Sequence, residues 1–138
     1  MSFLLLRHAS AGDRDKWAGD DRLRLLDEHG RQQALMLRDL LRHQPITRIV
    51  SSPYIRCVAT VEPLAGALSI EIELDTRLAE GTPAELAQAL LEQLDGGLAC
   101  THGDVIEAML GYPLRKGAAA VVDVGCNGAE VLETLPAP

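Results

Sequence analysis

The chain has 138 residues, 47% of them hydrophobic and only 3% aromatic, with a formal net charge of −7. This length suits a single domain, residues 1–138, with a core of Leu, Ala and Val. The acidic balance argues against nucleic acid or an anionic membrane as main partner. No apolar stretch approaches the ~20 residues of a membrane span.

Phe3 to Leu6 form an unbroken apolar run. Such a run suits a strand covered on both faces, although periodicity alone leaves a buried helical segment open. It is shorter than a signal-peptide core of ~7–15 residues, so the expected location is the cytoplasm. Arg7 and His8 end the run, and Ser10, Ala11, Gly12 and Asp13 read as loop. Arg7 and His8 are therefore expected at the carboxyl edge of a sheet, where α/β proteins bind ligands.

Residues 10–26 interleave Arg14, Lys16, Arg22 and Arg24 with Asp13, Asp15, Asp20 and Asp21. They read either as a gating loop over that edge or as a solvated loop that Trp17 anchors on the core. Asp27 is the expected N-cap of a helix to about Arg42, with Ala34, Leu37, Leu40 and Leu41 on its apolar face. Pro45 stops it, and Ile46–Val50 form a second strand.

Ser52 is then expected as N-cap and Pro53 as first residue of the next helix, whose stripe is Val58, Val61, Ala65 and Leu68. Pro63 should kink or shorten this helix. Arg56 falls in its first turn. Ser69–Leu74 alternate Ile and Glu as a third strand. The following loop carries Glu80.

Thr82-Pro83-Ala84-Glu85 reads as a capping box. Its helix places Leu86, Leu90 and Leu94 on one face, with Ala87 and Leu91 alongside, and ends at Gly96-Gly97. Leu98–Thr101 is a strand, followed by His102-Gly103 and a helix over Val105–Leu110. Ala118–Val124 and Glu130–Leu135 are two last strands around the turn Cys126-Asn127-Gly128. The expected fold is α/β, a three-layer α/β/α sandwich with a mainly parallel sheet.

Arg7, His8, Arg56, His102 and Gly103 thus collect on strand ends. Arginine's planar fork matches phosphate oxygens, and the N–H groups of a helix opening at Gly103 also favour an anion. Cys57, Cys100 and Cys126 are widely spaced and read as buried thiols, and no zinc or redox pair is seen. No metal or cofactor is expected. His29 and His43 read as exposed, and Thr101 as packing or capping.

Leu5-Leu6-Arg7-His8-Ala9 resembles the Arg-His-Gly signature of the histidine phosphatase superfamily. The segment from Ser51 to Thr60 looks like its Ser-Ser-Pro-x-x-Arg-x-x-x-Thr motif, and Thr101-His102-Gly103 like its second-histidine motif. Gly30-Arg31-Gln32-Gln33-Ala34 is similar to its Gly-x-x-Gln-Ala helix start. The likeness is greatest to the short, phosphohistidine-phosphatase-like branch, and a phosphoglycerate mutase-like fold is what it implies.

The resemblance makes His8 the nucleophile, with its other ring nitrogen donating to a carbonyl. Arg7, Arg56 and His102 would hold the phosphoryl oxygens, and Glu80 would be the general acid. The substrate would be a phosphorylated small molecule or phosphoprotein. The chain also resembles domains fused to Nudix hydrolases, but it has no Nudix box, so such a partner would be a separate protein. Ala9 replaces the signature Gly, and Leu25 stands where Pro is usual. The segment from Leu110 to Lys116 looks short, which implies an open pocket. Two rival readings are a non-catalytic phospho-ligand-binding domain and a phosphomutase.

Overall fold

The computed structural model describes residues 2–125 and 128–138. Cys126 and Asn127, and with them the tip of the expected last turn, lie outside the described residues. Among the described residues, six strands form one sheet: β1 (Ser2–Arg7), β2 (Arg48–Ser51), β3 (Ile72–Leu74), β4 (Gly97–Thr101), β5 (Ala119–Gly125) and β6 (Gly128–Leu135). Their order is β3-β2-β4-β1-β5-β6. The first four run parallel, and β5 and β6 extend the sheet as an antiparallel pair.

Four α-helices of the described residues cover both faces: α1 (Glu28–Leu41), α2 (Ile55–Leu68), α3 (Ala84–Leu91) and α4 (Gly103–Leu110). Side chains alternate across a strand, so β1 divides between two cores. Phe3 and Leu5 meet Ala87, Leu90, Leu91, Val105 and Ile106 of α3 and α4. Leu4 and Leu6 meet Leu37 and Leu41 of α1 and Val61 and Leu64 of α2. This double burial is why Phe3–Leu6 is apolar at every position.

Several helix details differ from expectation. α2 begins at Ile55 after Tyr54, not at Pro53, and no side chain caps it. The Ser52 hydroxyl bonds His102 instead. α2 also runs through Pro63 to Leu68. An internal proline costs ~3 kcal/mol. Val61, Leu64 and Ala65 are buried beside it, and each large apolar side chain buried contributes about 2 kcal/mol. Packing therefore outweighs the missing bond.

α3 lacks the expected capping box: Pro83 is its N-cap, without a side-chain bond. The Thr82 hydroxyl donates to the Thr76 carbonyl instead. Leu40 and Leu86, expected on buried faces, are 59% and 49% exposed. The rest of each stripe is buried as expected, Ala34, Leu37 and Leu41 in α1 and Ala87, Leu90, Leu91 and Leu94 in and after α3.

Candidate active site

The parallel register brings three strand ends level. Arg7 pairs with Thr101, and Ser51 with Cys100, so the residues that follow emerge at one edge. There, a cleft of about 570 Å³ is lined by Arg7, His8, Arg14, Glu80, Gly103 and Lys116, among others.

His8 is buried, and its backbone N–H donates to the Thr101 carbonyl at 3.1 Å. Its Nδ1 lies 2.8 Å from the Ala9 carbonyl oxygen. A carbonyl only accepts, so Nδ1 carries the proton and Nε2 keeps its lone pair. Burial holds the imidazole pKa down at about 3, against the opposing pull of the Ala9 bond, and nearby His102, Arg56 and Arg7 lower it further. His8 is therefore a neutral imidazole.

Arg7 donates through Nη1 to the Leu114 carbonyl at 2.7 Å. Its guanidinium lies against Gly103, where a Cβ would come within 2.8 Å of Cζ. Gly103 is thus the residue that lets Arg7 lie flat at the start of α4. Arg56 is fully buried; it donates to the Asp21 carbonyl at 2.8 Å and to Asp21 Oδ2 at 3.0 Å. The His102 ring stands edge-on to His8, centroids 5.4 Å apart, and its Nε2 is 2.8 Å from Ser52 Oγ.

Three buried side-chain nitrogens find no hydrogen-bond partner among the described residues: Arg7 Nε, Arg56 Nε and His102 Nδ1. All three belong to residues singled out as phosphate ligands. Each such unpaired buried nitrogen costs about 1–3 kcal/mol. Their three side chains are the ones whose charge acts on neutral His8, an arrangement suited to an oxyanion.

Glu80 lines the same cleft. Its Oε1 accepts from Arg14 and sits 3.5 Å from Arg56 Nη2. The Thr101 hydroxyl, fully buried, donates to the Leu78 carbonyl at 2.6 Å and so ties the Glu80 loop to β4. Residues 10–26 do reach the site: Gly12, Asp13, Arg14 and Arg24 line the cleft. Trp17 does not anchor this loop on the core; it is half-buried, and its indole N–H donates to Asp20 within the loop.

Sequence reasoning missed three participants. Asp21 forms ion pairs with Arg24 and Arg56, at 2.9 and 3.0 Å. Ser52 lay inside a recognised motif, yet its contact with His102 spans 50 residues. Lys116 carried no signal at all. Cys57 and Cys100 are buried as expected. Burial pushes the Cys57 thiol up, but hydrogen bonds with Cys100 and His102 outweigh it and bring its pKa to about 6. His29 and His43 are exposed. Among the described residues, no group of three or more His, Cys, Asp or Glu is placed to hold a metal, and no helix is long and apolar enough to cross a membrane.

A family model, the histidine phosphatase superfamily (branch 1), matches residues 3–85. An 8-oxo-(d)GTP phosphatase of Mycolicibacterium smegmatis is 35% identical over 114 residues, covering 78% of this chain and 35% of that protein. The chain therefore spans about a third of the length of that curated relative.

Among solved structures, the protein histidine phosphatase SixA complexed with tungstate superposes with a TM-score of 0.81 at 21% identity, covering 99% of this chain and 97% of that one. At that identity the likeness shows a shared fold. A phosphohistidine phosphatase candidate, SixA of Agrobacterium tumefaciens, gives 0.77 at 25% identity, with the same coverage.

Proposed function

Because the chain belongs to the histidine phosphatase superfamily, we propose that it is a phosphatase working through a covalent phosphohistidine on His8. His8 Nε2 attacks phosphorus in line with the leaving oxygen. Arg7, Arg56 and His102 hold the three equatorial oxygens and stabilise their charge. Glu80 gives its proton to the leaving oxygen, then takes one from the water that cleaves the P–N bond. The products are the free alcohol, inorganic phosphate and the original enzyme. The scheme uses no metal, so turnover should continue in EDTA.

One observation carries this reading: Arg7, Arg56 and His102, each with a buried unpaired nitrogen, are the side chains whose charge acts on a neutral His8. A bare phospho-ligand-binding domain would need the cations alone. Glu80, which lines the same cleft as His8, favours the enzyme. A mutase must keep water from its intermediate, whereas the exposed Arg14 and Lys116 border this cleft.

The relatives suggest two substrate classes, nucleoside phosphates and protein phosphohistidine. A panel of both, with simple phosphomonoesters, will separate them. The remaining length of the mycolicibacterial relative leaves room for a further domain. A separate Nudix hydrolase in the cytoplasm is the partner we would test against this domain.

Rapid-quench labelling with a radioactive phosphoester tests the mechanism. An acid-labile phosphoenzyme is expected in the wild type and none in His8→Ala. An adduct that persists in the variant removes His8 as nucleophile.

A further inference from the structure

We propose that Lys116 is a specificity residue of the cleft, binding an anionic group of the substrate other than the transferred phosphoryl. Preferred substrates then carry a second phosphate or a carboxylate beside the reacting one. This rests on the phosphatase reading and narrows its substrate class.

Four cations line the cleft: Arg7, Arg14, Arg24 and Lys116. Three are already engaged. Arg7 donates to the Leu114 carbonyl. Arg14 is paired with Glu80 and Asp21. Arg24 donates to the Ala11 carbonyl and to Asp21. The Lys116 ammonium has no hydrogen bond or ion pair among the described residues. The cleft, at about 570 Å³, lies within the ~300–1,000 Å³ of sites that take whole small molecules. It has room for more than the group being transferred.

The place of Lys116 is built, although its side chain is free. The Gly117 N–H donates to the carbonyls of both Arg7 and His8, at 3.1 and 3.0 Å. The Lys116 carbonyl accepts from Gln33 Nε2 at 3.1 Å, while Gln33 Oε1 accepts from the Ser10 N–H at 2.9 Å. Gly117 has φ +87°, and a Cβ there would press on Gln33 Nε2 at 2.9 Å. The Gln of the Gly-x-x-Gln-Ala segment thus fixes the root of Lys116 beside the nucleophile's strand. From there a four-carbon stem carries the charge over the cleft.

The electrostatics agree. Burial, and then the Arg7, Arg24 and Arg56 guanidiniums, push the Lys116 ammonium below its ordinary pKa, with Asp27 opposing them. A second anion would relieve that crowding of like charge. Asp104 and Glu107 also line the cleft; they repel an anion and so direct it away from α4.

Calorimetric titration with phosphate and two ligands whose P–C bonds resist hydrolysis, methylenediphosphonate and phosphonoacetate, tests this without turnover, so it remains readable even if the phosphatase reading fails. Methylenediphosphonate, phosphonoacetate or both should bind the wild type about ten- to a hundredfold more tightly than phosphate. Which of them does so tells a second phosphate from a carboxylate. Lys116→Met should erase that preference, and Lys116→Arg should keep part of it. Two outcomes overturn the proposal: neither two-anion ligand outbinds phosphate, or Lys116→Met leaves the preference in place. Equal weakening of all three ligands would also overturn it, since Lys116 would then hold the transferred phosphoryl itself.

Discussion

The Nδ1–H of His8 donates to the carbonyl of the next residue, Ala9, at 2.8 Å. One backbone bond thus fixes the tautomer and frees Nε2 for attack. The buried ring has a pKa of about 3 against an ordinary 6.5. Between those values the unfolded chain takes up a proton that the folded protein refuses. Stability should therefore fall as pH drops from 6.5 toward 3, with no His8 contribution to the slope above that window. Urea midpoints measured across this range should decline more steeply for the wild type than for His8→Asn. Parallel curves would mean that His8 titrates normally.

His8→Ala should abolish turnover and leave phosphate affinity within about fivefold, since one neutral hydrogen bond is lost while the cations stay. Titration of the variant with phosphate measures this. A complete loss of binding would show that the cradle depends on the imidazole.

Glu80→Gln should slow transfer from an alkyl phosphate by ~10²–10⁴-fold. An alkoxide needs a proton to leave, whereas p-nitrophenolate needs little help. Single-turnover rates on the two substrates should therefore diverge. Equal losses would assign the acid to another group. A protein phosphohistidine, whose P–N bond is already labile, should depend on Glu80 least.

Gly30→Ala should destabilise the protein by about 3 kcal/mol, at the upper end for overpacking. A Cβ at Gly30 would run into the Ser10 carbonyl, which is backbone and cannot swing aside. The same loop is tied to α1 by Ser10 Oγ donating to Asp27 Oδ2 at 2.7 Å. Chemical denaturation gives the loss directly. A variant as stable as the wild type would mean that the loop after His8 is free to shift.

Much of the site was legible in the chain because it sits at strand ends. An apolar run that stops at Arg7-His8 marks a buried strand and its exit. Ser52 and His102 likewise follow short strands, and a parallel sheet brings such exits to one edge. The unpaired nitrogens of Arg7, Arg56 and His102 fall on residues read this way.

What the tertiary structure alone decided are pairings without a local pattern. Asp21 meets Arg56 across 35 residues, and Ser52 meets His102 across 50. Gln33 reaches the Lys116 carbonyl across 83. Hydrophobic periodicity reports which face of an element is buried, because burial repeats along the element. A single contact between two loops does not repeat, and its register depends on how the intervening helices pack. The same reason explains Ser52, whose hydroxyl suited an N-cap by local chemistry but found a buried imidazole once β2 and β4 lay side by side.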